Sequence, residues 1–577
     1  MKHEKAVVKA WRLPLWCVSH LSFFLFAFSF FIYLLTLDRS ASWWDCGEFI
    51  ATGWLMQVGH PPGAPVYQLL SHLFMLLSFG NPMLVAPLSN VLSALCGGLI
   101  IGLLYATLRE LNVRPLAATV GALCYLFCDT AWFSAVESEV YALAMLFCSL
   151  DVWLALRWSR NHNARLLPLL GLLLGLGTGV HLMTLLVAPA IILIIIGGIG
   201  CHKGHRSHGI PKIVRVLLWG LVFFLLGLTP YAIIPIRAAA HPPINEGDPS
   251  TTERFVKYLT RDQYAKAPLY PRMWRDRDTA NYADWTFGTT GVVGNAVYFV
   301  TYQMGYMYGR YLMYNFIGRE NLKHHRIVLF ILPFLLGVWG MLRHRRRSRQ
   351  DFWTVLLLFL FGGVLLGVYL NHPCYEPRER DYVYVLSFYA FALWIGIGAD
   401  EIKIKGERLK TLLFLAPLLM AVGNWSDHDR CHCHSVHDIA TNHLESCAPD
   451  AILITLGDND TFPLWYLQQV EGRRTDISVY NVGLIGWRNV LQLLDDNNFR
   501  RPVYFSHYFY RRAAILYPGR LRCEGYCWRL LPDEGLDLTP VVHPGIEWHI
   551  IPGEYVDPVA DDFLKIWHRN TGLSVNR

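Results

Sequence analysis

The chain has 577 residues, of which 53% are hydrophobic and only 16% are charged, whereas soluble domains carry about 25% charged residues. Its net charge of +7 is not a nucleic-acid signature, because the basic residues concentrate in short loops between apolar runs. Several of these runs reach the roughly 20 residues needed to cross a bilayer. The composition therefore predicts a multi-pass α-helical membrane protein with a soluble part, a lipid bilayer around it and no nucleic-acid partner.

The apolar runs, taken in chain order, predict about eleven membrane spans. Basic residues near the start place the N-terminus in the cytoplasm, and the alternation of loops then places residues 38–63, 237–326 and 371–381 outside. A count of ten or twelve would put the basic cluster at 343–349 outside, which the charge rule opposes. Residues 64–79 are predicted to form an interfacial helix or a re-entrant segment. The predicted spans are 13–37, 83–108, 116–134, 140–157, two short spans within 166–200, then 213–236, 327–342, 353–370, 382–398 and 411–423.

Residues 424–577 are predicted to form a soluble extracytoplasmic α/β domain that follows the transmembrane domain, residues 1–423. The strings AILITLG, PLWYLQQVEG and DISVYNVGLI are typical of a buried strand, a helix and a second strand. Ligands bind at the carboxyl ends of strands in such units. Asp458 and Asp460, which follow the first strand, therefore become candidates to bind an acceptor, a sugar or a divalent cation. An Asx turn is the structural alternative.

The loop at 38–63 carries the strongest chemical signal, because acids at the edge of a membrane bundle are costly to place there. Asp45 and Glu48 are candidates to take a proton from an acceptor hydroxyl, and His60 opens a His-Pro-Pro-Gly turn beside them. Three structural interpretations stay open: a helix N-cap for Asp45, a capping-box or salt-bridge partner for Glu48, and a structural histidine for His60.

Transfer of a sugar from a lipid phosphate also needs positive charge to neutralise the leaving phosphate. Arg237, Arg378 and Arg380 are predicted to lie on the outer side, and a guanidinium fork suits phosphate. Glu376 belongs to the same EPRERD segment, for which a phosphate and carboxylate network and a plain solvated loop are both open. The secondary candidates are Glu137, Glu139 and His181.

Two cysteine-containing segments of the C-terminal part bear on metals and redox state. The run DHDRCHCHSVH at 427–437 is rich in potential ligands, but its spacing fits no standard zinc set. Cys523 and Cys527 are close enough in sequence to form a disulfide in an oxidising compartment.

Several motifs resemble those of one known family. The string WWDCGEFIATGWLMQVGHPPGAPVYQLL resembles the opening signature of glycosyltransferase family 117, formerly domain of unknown function 2723. Further matching strings are PIRAAAHPPINEGDPS, YQMGYMYGRYLMYNFIGREN, EPRERDYVYVLSFYAFALWIGIG and GDNDTFPLWYLQQVEG. The family includes an animal protein O-mannosyltransferase and bacterial members common in Bacteroidota, and the later strings resemble the bacterial branch.

The resemblance implies a GT-C fold, a multi-span bundle with its active site on the extracytoplasmic face and a polyprenyl-phosphate sugar donor. Carried onto this chain, it points to Asp45 as the general base and to Glu48 second, with mannose or another hexose passing to Ser/Thr of exported proteins. It also implies a bacterial inner membrane and a periplasmic C-terminal domain. A divalent cation stays open as cofactor. A flippase for a lipid-linked sugar and a non-catalytic envelope assembly factor are the alternative functions.

Overall fold

The fold is a helical bundle that carries a small α/β domain at its C-terminal end. The computed structural model describes residues 15–200, 210–264, 266–275, 279–320, 327–374, 378–403, 410–533, 537–541, 559, 563 and 565. Its helices up to the last apolar run are α1 (Leu15–Leu35), α2 (Cys46–Leu55), α3 (Pro65–Met75), α4 (Pro82–Glu110), α5 (Pro115–Leu126), α6 (Asp129–Val136), α7 (Val140–Asn161), α8 (Leu166–Thr178), α9 (Ala188–Gly200), α10 (Ile210–Gly227), α11 (Ile233–Ala238), α12 (Thr252–Leu259), α13 (Thr279–Thr286), α14 (Gly291–Tyr298), α15 (Arg310–Phe316), α16 (Leu332–Arg347), α17 (Arg349–Gly362), α18 (Val364–Leu370), α19 (Val385–Glu401) and α20 (Leu415–His428).

Five helical segments of the described chain are long and apolar enough to cross a membrane, and a sixth is obtained if the α5–α6 pair, bent by 63°, counts as one span. The uninterrupted five are Pro82–Glu110, Val140–Asn161, Leu217–Ala238, Arg349–Leu370 and Asp381–Glu401. Shorter apolar helices occupy three other predicted spans: His20–Leu35, Leu166–Thr178 and Leu182–Gly198. A multi-pass helical protein is therefore confirmed, whereas the count of eleven stays a prediction.

The bundle is centred on α19, which is buried along most of its length. α16 crosses α19 very closely, because Gly340 and Gly398 face backbone of the opposite helix where a side chain would collide. The segment 166–200, predicted to hold two short spans, is interrupted: α8 ends at Thr178 and a 3₁₀ helix, Leu182–Val187, precedes α9.

The predicted outer loops contain more helix than expected. α2 lies inside the 38–63 loop, and α3 occupies the segment for which an interfacial helix or a re-entrant piece was expected. The segment after residue 237, predicted to lie outside, contains α12 to α15, a π-helix, Phe299–Gly309, and strand β1 (Gly318–Glu320), which pairs antiparallel with β2 (Ile327–Leu329). Several of these elements are only two turns long, and such short helices depend on packing rather than on a sequence signal.

The C-terminal domain is built on a five-stranded sheet of order β4-β3-β5-β7-β6. The predicted strand–helix–strand unit is confirmed: β3 and β4 are parallel and α22 connects them. The domain's elements are α21 (Ser435–Glu445), β3 (Ile452–Thr455), α22 (Phe462–Gln469), β4 (Ser478–Asn481), α23 (Val482–Ile485), α24 (Trp487–Asn497), β5 (Val503–Phe505), α25 (Tyr510–Leu516), β6 (Leu521–Glu524) and β7 (Cys527–Leu530).

The C-terminal domain packs directly on the first outer segment. Gly47 of α2 touches the backbone of Phe462, which begins α22, so closely that an added Cβ would lie 2.6 Å from the Phe462 carbonyl oxygen. The Trp44 amide donates a hydrogen bond to Asn459 Oδ1 at 2.7 Å. The loop after β3 is thereby held against the segment that carries Asp45.

Candidate active site

Asp45 stands at the N-cap position of α2, but its carboxylate does not cap the helix. Instead, Asp45 Oδ2 lies 3.2 Å from Arg378 Nη1. The predicted N-cap is therefore right about position, while the side chain is directed to a cation from a distant segment. Because the Asp45 carboxylate makes no hydrogen bond to its own helix, it is available to act as a base.

Arg378 joins two acids of the site. Its Nη2 lies 3.6 Å from Glu139 Oε1, while its Nη1 makes the Asp45 contact. The guanidinium carbon is 5.0 Å from the centre of the Trp44 ring and 4.3 Å from that of Tyr382. Aromatic faces hold a guanidinium in one orientation. Arg378 is thus a preformed cation beside Asp45, and its predicted role in binding phosphate stays a prediction.

Glu48 and His60 form a second pair. Glu48 is fully buried; its Oε2 lies 2.6 Å from His60 Nδ1, and its Oε1 accepts the His60 backbone N–H. Burial by itself would lower the pKa of His60, but the charge and hydrogen bond of Glu48 outweigh it and raise that pKa well above its usual value. His60 is therefore an imidazolium at neutral pH, and the salt-bridge interpretation of Glu48 describes the geometry.

Asp45, Glu48 and His60 each offer one ligand atom within 4.8 Å of the others, the only such group found in the described part of the chain. Both oxygens of Glu48 accept hydrogen bonds from His60 in this arrangement. A cation bound by these three side chains would therefore have to displace the proton that lies between Glu48 and the His60 ring.

Glu246 is a site residue that the sequence analysis missed. Its amide donates to the Val58 carbonyl oxygen at 3.1 Å, which brings the long outer segment beside the His60 turn. The side chain is 7% exposed, and neither carboxylate oxygen has a hydrogen-bond partner within the described chain. Burial, followed by the charge of Glu48, raises its pKa. The PIRAAAHPPINEGDPS string, quoted above for its family resemblance, contains both Glu246 and Asp248, and nothing in it distinguishes Glu246 as a site residue.

The two acids of the Asp458–Asp460 turn have different surroundings. Loss of water, followed by the charges of Asp45 and Glu48, raises the pKa of Asp458 to about 6 although its side chain is exposed at the rim. Asp460 is buried and accepts hydrogen bonds from the Gly457 amide at 2.8 Å and from the Ser506 hydroxyl. Asp458 thus faces the site, while Asp460 holds the turn as the Asx alternative expected.

The secondary candidates have different surroundings. Glu139 is buried beside Arg378, and burial followed by the charge of Asp45 raises its pKa. Glu137 instead lies 2.6 Å from Arg430 Nη1 of the C-terminal part. His181 accepts the Met183 amide hydrogen at 3.1 Å and so begins the 3₁₀ helix.

The two other arginines predicted to bind phosphate, Arg237 and Arg380, make different contacts. Arg237 donates from Nη2 to the Leu55 carbonyl oxygen at 3.1 Å and from Nε to Met56, at the end of α2. Arg380 Nη1 donates to the Tyr382 hydroxyl at 3.0 Å. Glu376 lies outside the described residues.

A cleft adjoins His60. It has about 400 Å³ of empty volume, and its lining includes the apolar side chains of Phe49 and Ile234 together with Gln68 and Arg237. A mixed lining of this kind suits a ligand with both polar and apolar parts. The site therefore combines one acid held by an arginine, one imidazolium and several buried carboxylates beside an open cleft.

Two protein-family profiles match this chain. Residues 45–198 match the N-terminal domain of the TMEM260 protein O-mannosyl-transferase, and residues 436–488 match TMEM260-associated domain 2. The matched family is that of the TMEM260 protein O-mannosyl-transferases. The first range begins at Asp45 and includes Glu48 and His60, and the second includes Asp458.

Curated relatives agree with these profiles. The chain is 24% identical over 467 residues to the protein O-mannosyl-transferase TMEM260 of Mus musculus, covering 78% of this chain and 60% of that protein. It is 22% identical over 511 residues to the Dictyostelium discoideum protein of the same name, covering 79% of this chain and 56% of that protein. The chain thus spans less than two thirds of the length of these relatives. They support the O-mannosyltransferase resemblance, while family 117 and the Bacteroidota branch stay predictions.

The solved structures that are similar to the chain include three with TM-scores below 0.5. The Archaeoglobus fulgidus oligosaccharyltransferase with zinc and sulfate has a TM-score of 0.48 at 10% identity, over 88% of this chain and 73% of that one. The Cupriavidus metallidurans ArnT bound to undecaprenyl phosphate has a TM-score of 0.39 at 13% identity, over 90% and 100%. The Saccharomyces cerevisiae Pmt1–Pmt2 complex bound to its sugar donor has a TM-score of 0.33 at 19% identity, over 41% and 35%.

Proposed function

We propose that the chain is a GT-C membrane glycosyltransferase that transfers a hexose from a polyprenyl-phosphate donor to Ser/Thr of exported proteins. Mannose is the first hexose to test as the transferred sugar. The observation that carries the proposal is the contact between Asp45 and Arg378. The Asp45 carboxylate does not cap its own helix and lies 3.2 Å from Arg378 Nη1, a cation of the kind that binds phosphate. Similarity to protein O-mannosyl-transferases supports the sugar and the acceptor.

Asp45 is the general base in this mechanism, and binding of the donor releases its carboxylate from Arg378. An incoming donor phosphate competes with Asp45 for the guanidinium of Arg378. Once the phosphate takes that contact, the carboxylate is free to accept the proton of the acceptor hydroxyl. The hydroxyl then attacks the anomeric carbon from the face opposite to the phosphate, which inverts the configuration.

His60 supplies a second cation for the leaving phosphate. As an imidazolium held by Glu48, it lowers the energy of the charge that develops on the phosphate as the sugar leaves. The buried carboxylates of Glu139 and Glu246 and the rim residue Asp458 are placed to hold sugar hydroxyls. No step needs a divalent cation, so we expect transfer to be unchanged after treatment with EDTA, and lost transfer that Mn²⁺ restores would contradict this.

The membrane placement belongs to the same proposal. The N-terminus is cytoplasmic, and the C-terminal domain lies in the periplasm of a bacterial inner-membrane protein, where exported acceptors pass. This placement puts Asp45 and Asp458 on the same outer face, as their packing through Trp44 and Asn459 requires.

The deciding experiment compares the glycoproteomes of cells that express wild type and Asp45→Asn at equal protein levels. The variant should lose hexose-modified Ser/Thr peptides from exported proteins, with transfer reduced roughly 10²–10⁴-fold, as for loss of a general base. Asp496→Asn, an exposed acid at the end of α24, is the matched control and should behave as wild type. Normal modification by Asp45→Asn would remove Asp45 as base and favour a flippase or an assembly factor.

A further inference from the structure

Cys447 and Cys527 lie together in the C-terminal domain, although strands β3 to β6 lie between them in the sequence. Cys447 Sγ and Cys527 Sγ each lie 3.5 Å from the same oxygen, the carbonyl of His443. The Cys447 thiol is also close enough to Cys527 to be among the groups that raise the pKa of the Cys527 thiol, after burial. Both side chains are buried, at 4% and 0% exposure.

The sheet register excludes the pairing expected from sequence. Cys527 stands opposite Glu524 in the β6–β7 hairpin, and Cys523 stands opposite Trp528. Successive side chains of a strand point to opposite faces, so Cys523 and Cys527 lie on different sides of the sheet. The apolar clusters agree, because Cys447 and Cys527 share one cluster while Cys523 belongs to another.

We propose that Cys447 and Cys527 form a structural disulfide in the mature protein. Both residues are thiols in this structure. The two thiols would lose two electrons and two protons as one S–S bond forms. The oxidant is a dithiol–disulfide oxidoreductase, whose own disulfide is reduced to two thiols by way of a mixed disulfide.

The thiol–disulfide exchange has to take place before the C-terminal domain packs around the two cysteines. Burial raises the pKa of the Cys527 thiol, which disfavours the reactive thiolate once the domain is packed. The bond would then close a loop from the segment after α21 to β7, enclosing β3 to β6. Loops of this length give a large reduction in the entropy of the unfolded chain.

The inference does not depend on the transferase function, but it does depend on an oxidising compartment for the C-terminal domain. The test uses the full chain in membranes from an exporting host. Thiols are blocked with N-ethylmaleimide under denaturing conditions, the unreduced protein is digested, and the peptides are mapped by mass spectrometry. We expect one cross-linked peptide pair that contains Cys447 and Cys527, with Cys523 alkylated.

Variants and reduction complete the test. Cys447→Ser should leave Cys527 open to alkylation and lower the melting temperature by roughly 5–10 °C. Cys523→Ser, the matched buried control, should keep the cross-link. If Cys447→Ser does not fold, a phosphine reductant should produce the same melting shift in the wild type. Alkylation of both Cys447 and Cys527 in the wild type, or a cross-link between Cys523 and Cys527, would overturn the proposal.

Discussion

The Glu48–His60 pair shows how one contact sets the charge of a site residue. Without Glu48, burial would be the dominant influence on the imidazole and would lower the pKa of His60. With Glu48, the pKa is raised and His60 keeps its proton above neutral pH. The charge that the proposed mechanism needs on His60 is thus a property of the pair.

Glu48→Gln should therefore change the pH profile of transfer. In wild type the active imidazolium is present below the raised pKa of His60 and is lost as pH rises through it. In the variant the burial of His60 is no longer offset by Glu48, so the pKa of His60 falls and the imidazolium is lost at a lower pH than in wild type. We expect near-normal transfer at acidic pH and roughly ten-fold loss at pH 8. Asp496→Asn is the control, and superimposable profiles for wild type and Glu48→Gln would contradict the role of His60.

The residue type of Asp45 predicted its possible roles but not its partner. An acid after two tryptophans was predictable as both an N-cap and a base, and the backbone position satisfied the first interpretation. Its partner, Arg378, is 333 positions away. The EPRERD string nominated Arg378, Arg380 and Glu376 equally, so only packing could select Arg378 as the contact of Asp45.

At the scale of single elements, α2 couples the site to the C-terminal domain. Its first turn carries Asp45 and Glu48, and Gly47 between them lies against Phe462 of α22. A side chain at Gly47 would push the two helices apart, because the obstructing atoms are backbone.

Gly47→Ala should accordingly disturb this contact. The added Cβ would lie 2.6 Å from the Phe462 carbonyl oxygen, and overpacking of this kind costs typically 1–3 kcal/mol. The matched control is Gly53→Ala in the same helix, whose Cβ would have its one close contact, at 2.8 Å, with the flexible end of the Met75 side chain. Thermal unfolding and transfer assays should show a loss for Gly47→Ala alone. Equal stability of the two variants would show that the α2–α22 contact does not matter.

For the whole molecule, Arg430 ties the C-terminal part to the bundle. Its Nη2 lies 3.1 Å from Asp38 Oδ2 and its Nη1 lies 2.6 Å from Glu137 Oε2, while its amide donates to the Thr36 carbonyl oxygen at 3.2 Å. Arg430 is 5% exposed. The end of α1, the start of α7 and the segment after α20 are thus joined through one guanidinium.

Arg430→Gln should destabilise the folded chain by about 3–5 kcal/mol, because it leaves Asp38 and Glu137 without their buried counter-charge. The measurement is the shift in thermal unfolding of the full protein in detergent. Arg254→Gln removes an exposed partner of Asp248 and should cost at most about 1 kcal/mol. Similar effects of the two substitutions would show that the buried network contributes no more than a surface pair.

The sequence by itself determined the features that depend on local pattern. Apolar runs identified the multi-pass bundle, and alternation and turn residues identified the β3–α22–β4 unit. Acids at a predicted membrane edge nominated Asp45 and Glu48 as candidate site residues. The tertiary structure alone decided which distant groups meet: Arg378 with Asp45, Glu246 with the His60 turn, and Cys447 rather than Cys523 with Cys527. The physical reason is that periodicity and charge are properties of neighbouring residues, whereas these contacts follow from how separate helices and strands pack.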